Sequence, residues 1–161
     1  MKKQIILNSK EIINKINRIA FTIIEDFYKE EEITIVGLKK NGFTISQILK
    51  KTIETNHSIK VNLYKMTLIK ENYIVEPSLN LNFKKNIFLV DDVLKSGRTM
   101  AYGVRELLQY DILNLKTIIL VNRSHKRFPI SADYVGLNLS TTLKEHIEVI
   151  MSTGKEIAYL V

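Results

Sequence analysis

The feature that most restricts the fold is the run Asn86-Ile87-Phe88-Leu89-Val90-Asp91-Asp92, which continues Val93-Leu94-Lys95-Ser96-Gly97-Arg98-Thr99. Ile87 to Val90 is short and wholly apolar, the pattern of a strand covered on both faces in a parallel sheet. The run then stops at two adjacent carboxylates. Two like charges repel and resist desolvation, so a pair at the end of a buried strand implies partners there: hydroxyl groups, a cation, or both. The residues that follow are small, hydroxylated or basic, and they stand just before the helical pattern Met100, Val104, Leu107 and Leu108. Backbone N–H groups at such a helix start, together with the positive end of its dipole, hold a phosphate. A polyol and a phosphate are therefore expected side by side.

The rest of the chain repeats the strand and helix alternation. Residues 4–7 read as a short strand. Asn8 and Glu11 have the spacing of a capping box ahead of Ile12, Ile16, Ile19, Ile23 and Phe27, an amphipathic helix closing near Glu30. Ile33 to Val36 predicts a strand that runs into Gly37-Leu38-Lys39-Lys40-Asn41-Gly42. Two glycines bracket this basic loop, so it can take unusual backbone angles and set N–H groups and a lysine against an anion. A helix over 43–54 and a strand over 59–69 follow. Residues 70–85 lack periodicity. A helix after the acidic pair closes near Asp111, and Thr117 to Val121 predicts another buried strand. A further strand begins within 131–136, and alternation at Ile147, Val149 and Met151 and again at Ile157 and Tyr159 suggests a closing hairpin around Thr153-Gly154. This order predicts an α/β protein with a mainly parallel sheet.

Composition narrows the function classes. A chain of 161 residues fits one domain with a sizeable core. Without cysteine there are no disulfides or thiolate metal sites, and a reducing cytoplasm is the expected location. No apolar run approaches a membrane span, and the apolar stretch near the start is too short for a signal peptide. A formal charge of +7 favours polyanionic partners. Neither the dinucleotide fingerprint nor the P-loop pattern is present.

Ile87 to Thr99, read as IFLVDDVLKSGRT, closely resembles the signature with which type I phosphoribosyltransferases bind 5-phosphoribosyl-1-pyrophosphate (PRPP), and the flanking stretches are similar to the PyrR-like branch of uracil phosphoribosyltransferases and pyrimidine-operon regulators. The resemblance implies the type I phosphoribosyltransferase fold: a central, mainly parallel β-sheet flanked by helices, with a small hood from about 122–161 plus the N-terminus and a flexible loop at about 70–85. It implies that Asp91 and Asp92 face the ribose hydroxyls and a water-mediated Mg²⁺, and that Val93, Leu94, Lys95, Ser96, Gly97, Arg98 and Thr99 complete the PRPP site. Leu38, Lys39, Lys40 and Asn41 become the pyrophosphate loop, with Lys39 and Arg123 offsetting charge on the leaving group. The base pocket draws on Tyr134 and Val135.

Several residues depart from the family pattern. Asn41 stands where relatives carry arginine, Asn122 replaces an aspartate and Ser124 a glycine. Ile69-Lys70-Glu71-Asn72 replaces Tyr-Arg-Asp-Asp at the start of a shortened lid, with Tyr73 the residue placed to cover the site. A short lid threatens turnover more than binding, because water intercepts an exposed cation-like sugar. The expected activity is transfer of the phosphoribosyl group to uracil, with a purine phosphoribosyltransferase and a nucleotide-sensing or RNA-binding regulator as alternatives. Arg18, His125 and Lys126 suit an RNA surface, but Phe21, Asp26, Ser131 and Leu137 stand where regulators are basic, so specific RNA binding is not expected. A homo-oligomer is. His146 shows no ligand-like company in the sequence.

Overall fold

A computed structural model describes residues 3–69, 72–76, 85–123, 126–140 and 146–161. The chain opens with β1 (Gln4–Leu7) and α1 (Ser9–Phe27). The capping box is complete: Glu11 N–H donates to the Asn8 side chain and Asn8 N–H to Glu11, at 3.0 and 2.8 Å. α1 buries Ile12, Ile16, Ile19, Ala20 and Ile23, the stripe its spacing predicts. It stops at Phe27, one turn before Glu30.

Next come β2 (Glu32–Leu38), α2 (Lys39–Asn56), β3 (Lys60–Ile69) and β4 (Asn72–Glu76), then β5 (Asn86–Leu94), α3 (Arg98–Leu107), β6 (Asn114–Arg123) and β7 (Tyr134–Leu139). Six strands form one sheet in the order β4-β3-β2-β5-β6-β7. All neighbours are parallel except β3 and β4. β5 runs on through the acidic pair to Leu94. β4 lies inside the stretch read as irregular; Tyr73, Ile74 and Val75 favour extended backbone, and pairing covers the edge of β3. The remainder of that stretch, 77–84, lies outside the described residues.

Successive strand residues face opposite sides. Ile33, Ile35, Phe88, Val90, Ile118 and Leu120 pack on the α1 and α2 side. Val36, Leu38, Ile87, Leu89 and Ile119 pack with Met100 and Leu107 of α3 on the other. A second sheet, the hood, is antiparallel and ordered β1-β9-β8, made by β8 (Ile147–Ile150) and β9 (Ile157–Leu160) with β1; β7, inside the expected 122–161 hood, belongs to the central sheet instead. No helix among the described residues is long and apolar enough to cross a membrane.

The hood hairpin is fixed to the start of α1 by Glu156, which accepts from the Ser9 hydroxyl and from Gly154 N–H at 3.0 Å. The Ser9 hydrogen bond holds the Glu156 carboxyl below the usual range. A carboxyl depressed in the folded state stabilises fully above its unfolded pKa, and that stability is lost as pH falls through the folded value. Glu156→Gln should therefore be less stable than wild type near neutral pH, and the gap should close between about pH 5 and pH 3 in urea unfolding. Parallel stability curves over that range would contradict the assignment.

Candidate functional site

The strand order changes direction between β2 and β5: the chain leaves β2 for β3 on one side and later builds β6 and β7 on the other. Open α/β sheets bind ligands at such a switch point, beyond the carboxyl ends of the strands. Here those ends are Leu38 of β2, which leads into Lys39, and the acidic stretch of β5.

Two glycines bring them together. A Cβ on Gly37 would lie 2.4 Å from Phe43 Cα, and one on Gly42 would lie 2.4 Å from the Val90 carbonyl oxygen. The first turn of α2 thus rests directly on the β5 backbone, and the segment read as a loop is helical from Lys39 onward. Lys39 carries the strain of this sharp junction at φ +54°, in the left-handed region without being glycine. Leu38 is fully buried in the core, whereas Lys39, Lys40 and Asn41 line the cleft.

At the end of β5, Asp91 is only 7% exposed. Burial, and then the charge of Asp92, push its carboxyl well above the usual range, and Lys39 opposes that shift. Asp92 N–H donates to Asp91 Oδ1 at 2.9 Å, and Val93 N–H donates to Asp92 Oδ1 at 2.8 Å. Asn41 Nδ2 donates to Asp92 Oδ2 at 2.8 Å and to the Val149 carbonyl at 2.9 Å.

The chain then turns through Lys95 and Ser96 into α3. The Ser96 carbonyl accepts from Arg127 and Phe128 N–H at 2.9 and 3.0 Å, which anchors the turn. Gly97 at φ +84° is the N-cap, a conformation that favours glycine, and it supplies no side-chain cap. α2 is likewise uncapped by any side chain, whereas α1 has its full box. Arg98 N–H, the first of α3, donates to Ser96 Oγ at 3.3 Å. At the two helix starts that border the cleft, neither N-cap side chain takes up the other first-turn N–H groups, which suits an anion there. Asp91 to Met100 line the cleft, of about 590 Å³, with Val93 and Leu94 among them. Lys95 and Arg98 are exposed, and Ser96 and Thr99 half-buried.

The hood closes the opposite wall through His146, Ile147, Glu148 and Val149. These residues were missed from sequence, since nothing local says that the chain's last hairpin faces Asp92. Besides Leu38, three residues expected at the site do not line this cleft. Tyr134 is 9% exposed, packs on Phe88 at 6.0 Å between ring centroids, and donates its hydroxyl to Asp26 Oδ2 at 2.7 Å, so its side chain belongs to the core. Burial pushes that phenol's pKa up. Val135 does not line the cleft; its carbonyl accepts from Arg18 at 2.9 Å. Arg123 is 7% exposed, has a partner within the protein, and does not line the cleft either. Ser124 and His125 lie outside the described residues, as does 141–145.

Among the described residues no three His, Cys, Asp or Glu side chains cluster to enclose a metal. Asp91 and Asp92 offer adjacent oxygen donors of the type Mg²⁺ takes, while Glu148 across the cleft is paired with Lys3. Two neighbouring carboxylates fit an ion that keeps its waters and completes its shell with ligand oxygens.

Comparison with known proteins agrees with this geometry. Residues 3–154 match the model of the phosphoribosyl transferase domain. The chain is 35% identical to the bifunctional protein PyrR of Clostridium novyi, over 93% of this chain and 91% of that protein, and 32% identical to that of Haemophilus ducreyi, over 91% and 89%. A hypoxanthine-guanine phosphoribosyltransferase from Bacillus anthracis superposes with a TM-score of 0.76 at 21% identity, covering 99% of each chain. The hypoxanthine phosphoribosyltransferase of Trypanosoma cruzi gives 0.75 at 18% identity, covering 89% of this chain and 84% of that one.

The close approach at Gly42 yields a direct prediction. Gly42→Ala must push α2 away from β5, and it should lower unfolding stability by about 1–3 kcal/mol. A urea midpoint equal to wild type would show that the junction is looser than described.

Proposed function

The chain belongs to the phosphoribosyl transferase domain family, and from that premise we propose that it moves the 5-phosphoribosyl group of PRPP to a nucleobase, uracil in the first instance, with release of pyrophosphate. The observation that carries this reading is the convergence of two uncapped helix starts and a carboxylate pair on one cleft at the switch point.

Each group has a physical task. The first turn of α3, with the hydroxyls of Ser96 and Thr99 and the backbone from Lys95 to Thr99, receives the 5-phosphate. Asp91 and Asp92 accept from the ribose hydroxyls and from waters of the hydrated cation. The start of α2 with Lys39 and Lys40 faces the pyrophosphate, whose growing charge in the transition state is met by lysine and by helix N–H groups already in place. Asp91 and Asp92 would hold Mg²⁺ through its waters, and the ion would supply positive charge against the phosphates of PRPP. No nucleophilic side chain is required, because the base itself attacks the anomeric carbon. Rate comes from alignment and preorganised charge, each of which lowers a barrier by several kcal/mol, of order 3 or more.

The choice of uracil rests on likeness to PyrR proteins; a purine base is the alternative. A regulator that binds nucleotide without turnover is favoured by one feature: β4 takes up Asn72–Glu76, which leaves only 77–85 before β5. RNA recognition is not part of this proposal. Arg18 donates one terminal nitrogen to both the Val135 and Gly136 carbonyls, each at 2.9 Å, so that guanidinium is held by β7.

A panel of bases with PRPP and Mg²⁺ should release pyrophosphate with uracil above every purine. Turnover with hypoxanthine or guanine instead would move the assignment to a purine enzyme, and PRPP binding without turnover on any base would leave a sensor. Asp92→Asn should weaken PRPP binding about tenfold or more in calorimetry, with its melting temperature near wild type. Unchanged affinity would contradict the role given to Asp92.

A further inference from the structure

The first turn of α2 holds an amide where the family resemblance places an arginine, and the geometry around it is specific. Asn41 Nδ2 carries two hydrogens, and both are engaged: one on Asp92 Oδ2 at 2.8 Å, the other on the Val149 carbonyl at 2.9 Å. A backbone carbonyl only accepts, so chemistry requires the nitrogen of the amide to face Val149, and the same nitrogen reaches Asp92. Oδ1 is left as the remaining polar atom of the side chain, and an acceptor offers nothing to a phosphate oxygen.

The anchor beneath this side chain is stiff. Gly42 sits against the Val90 carbonyl and the Asp91 Cα, with no room for a side chain, so the turn that carries Asn41 cannot slide along β5. Asp92 is held at both oxygens, by Asn41 on one and by Val93 N–H on the other. Val149 lies in β8, whose partner β9 pairs with β1. One side chain therefore joins the α2 turn, the acidic end of β5 and the hood.

We propose that Asn41 is a positioning residue: it ties Asp92 and hood strand β8 to the α2 turn, and it acts on the bound sugar phosphate through Asp92 without touching the pyrophosphate. This rests on the phosphoribosyltransferase reading of the cleft. It differs from the expectation that residue 41 grips the leaving group, as an arginine with an outward-facing fork would do.

The test is a double-mutant cycle read by calorimetry with PRPP and Mg²⁺ on wild type, Asn41→Ala, Asp92→Ala and the double variant. Asn41→Ala should weaken PRPP about tenfold, and it should add no more than about twofold once Asp92 is already removed. Losses that multiply in the double variant, or Asn41→Ala at wild-type affinity, would overturn the proposal. Inorganic pyrophosphate, titrated against the Asp92→Ala background, should bind equally well whether Asn41 is kept or replaced by alanine; weaker binding with alanine means direct contact and refutes the assignment. Amide hydrogen exchange across Ile147–Ile150 provides a readout independent of PRPP. It should quicken about tenfold in Asn41→Ala, and unchanged exchange would contradict the tie. If wild type binds no PRPP, the enzymatic reading falls, while hydrogen exchange still decides the tie. Asn41→Ser, too short to reach both acceptors, takes the place of Asn41→Ala should the latter fail to fold.

Discussion

The close approach of Gly42 to the Val90 carbonyl is the constraint on which the cleft depends. α2 and α3 lie on opposite faces of the sheet, and their starts meet only because β2 and β5 are neighbours and end together. Any side chain at position 42 separates the α2 turn from the acidic strand. With glycine there, two lysines, an amide and two carboxylates share a space of about 590 Å³. Sequence positions some fifty residues apart are converted into one polar surface by a single missing methyl group.

Departures from the most stable local choice gather at this end of the sheet. Asp91 is buried with its carboxyl pushed upward, Lys39 holds a left-handed backbone, and two helices begin without side-chain caps. Elsewhere the same chain follows the usual rules: α1 has a complete capping box, and Glu156 secures the hood turn with two hydrogen bonds. Such clustering is characteristic of sites whose groups are placed for a ligand, with the surrounding structure supporting them. Two positive helix starts, with lysines beside them, and a carboxylate pair on the strand end that both adjoin suit a molecule with phosphates at its ends and hydroxyls between.

Much of this was legible in the chain because the relevant signals are local. The capping box at Asn8, the isoleucine stripe of α1, the apolar run of β5 and the hairpin about Gly154 each follow from spacing within a few residues. What was not legible depends on partners far away in sequence. Lys39-Lys40-Asn41 reads as a loop from composition, yet contact with β5 makes it the first turn of a helix. β4 exists because β3 offers it an edge. Tyr134 looks available for a base, but the strand's alternation turns it towards Phe88 and Asp26, and no neighbour in the sequence announces which face α1 will cover. His146 and Glu148 reach the cleft only because the hood folds across it.

The most direct measurement of whether this corner is a sugar-phosphate site is a crystal structure of the protein soaked with ribose 5-phosphate. The phosphate should lie on the first turn of α3, within hydrogen-bond distance of backbone N–H groups between Lys95 and Thr99, with the ribose hydroxyls towards Asp91 and Asp92. A sugar phosphate bound elsewhere, or this corner unchanged at saturating ligand, would contradict the central claim.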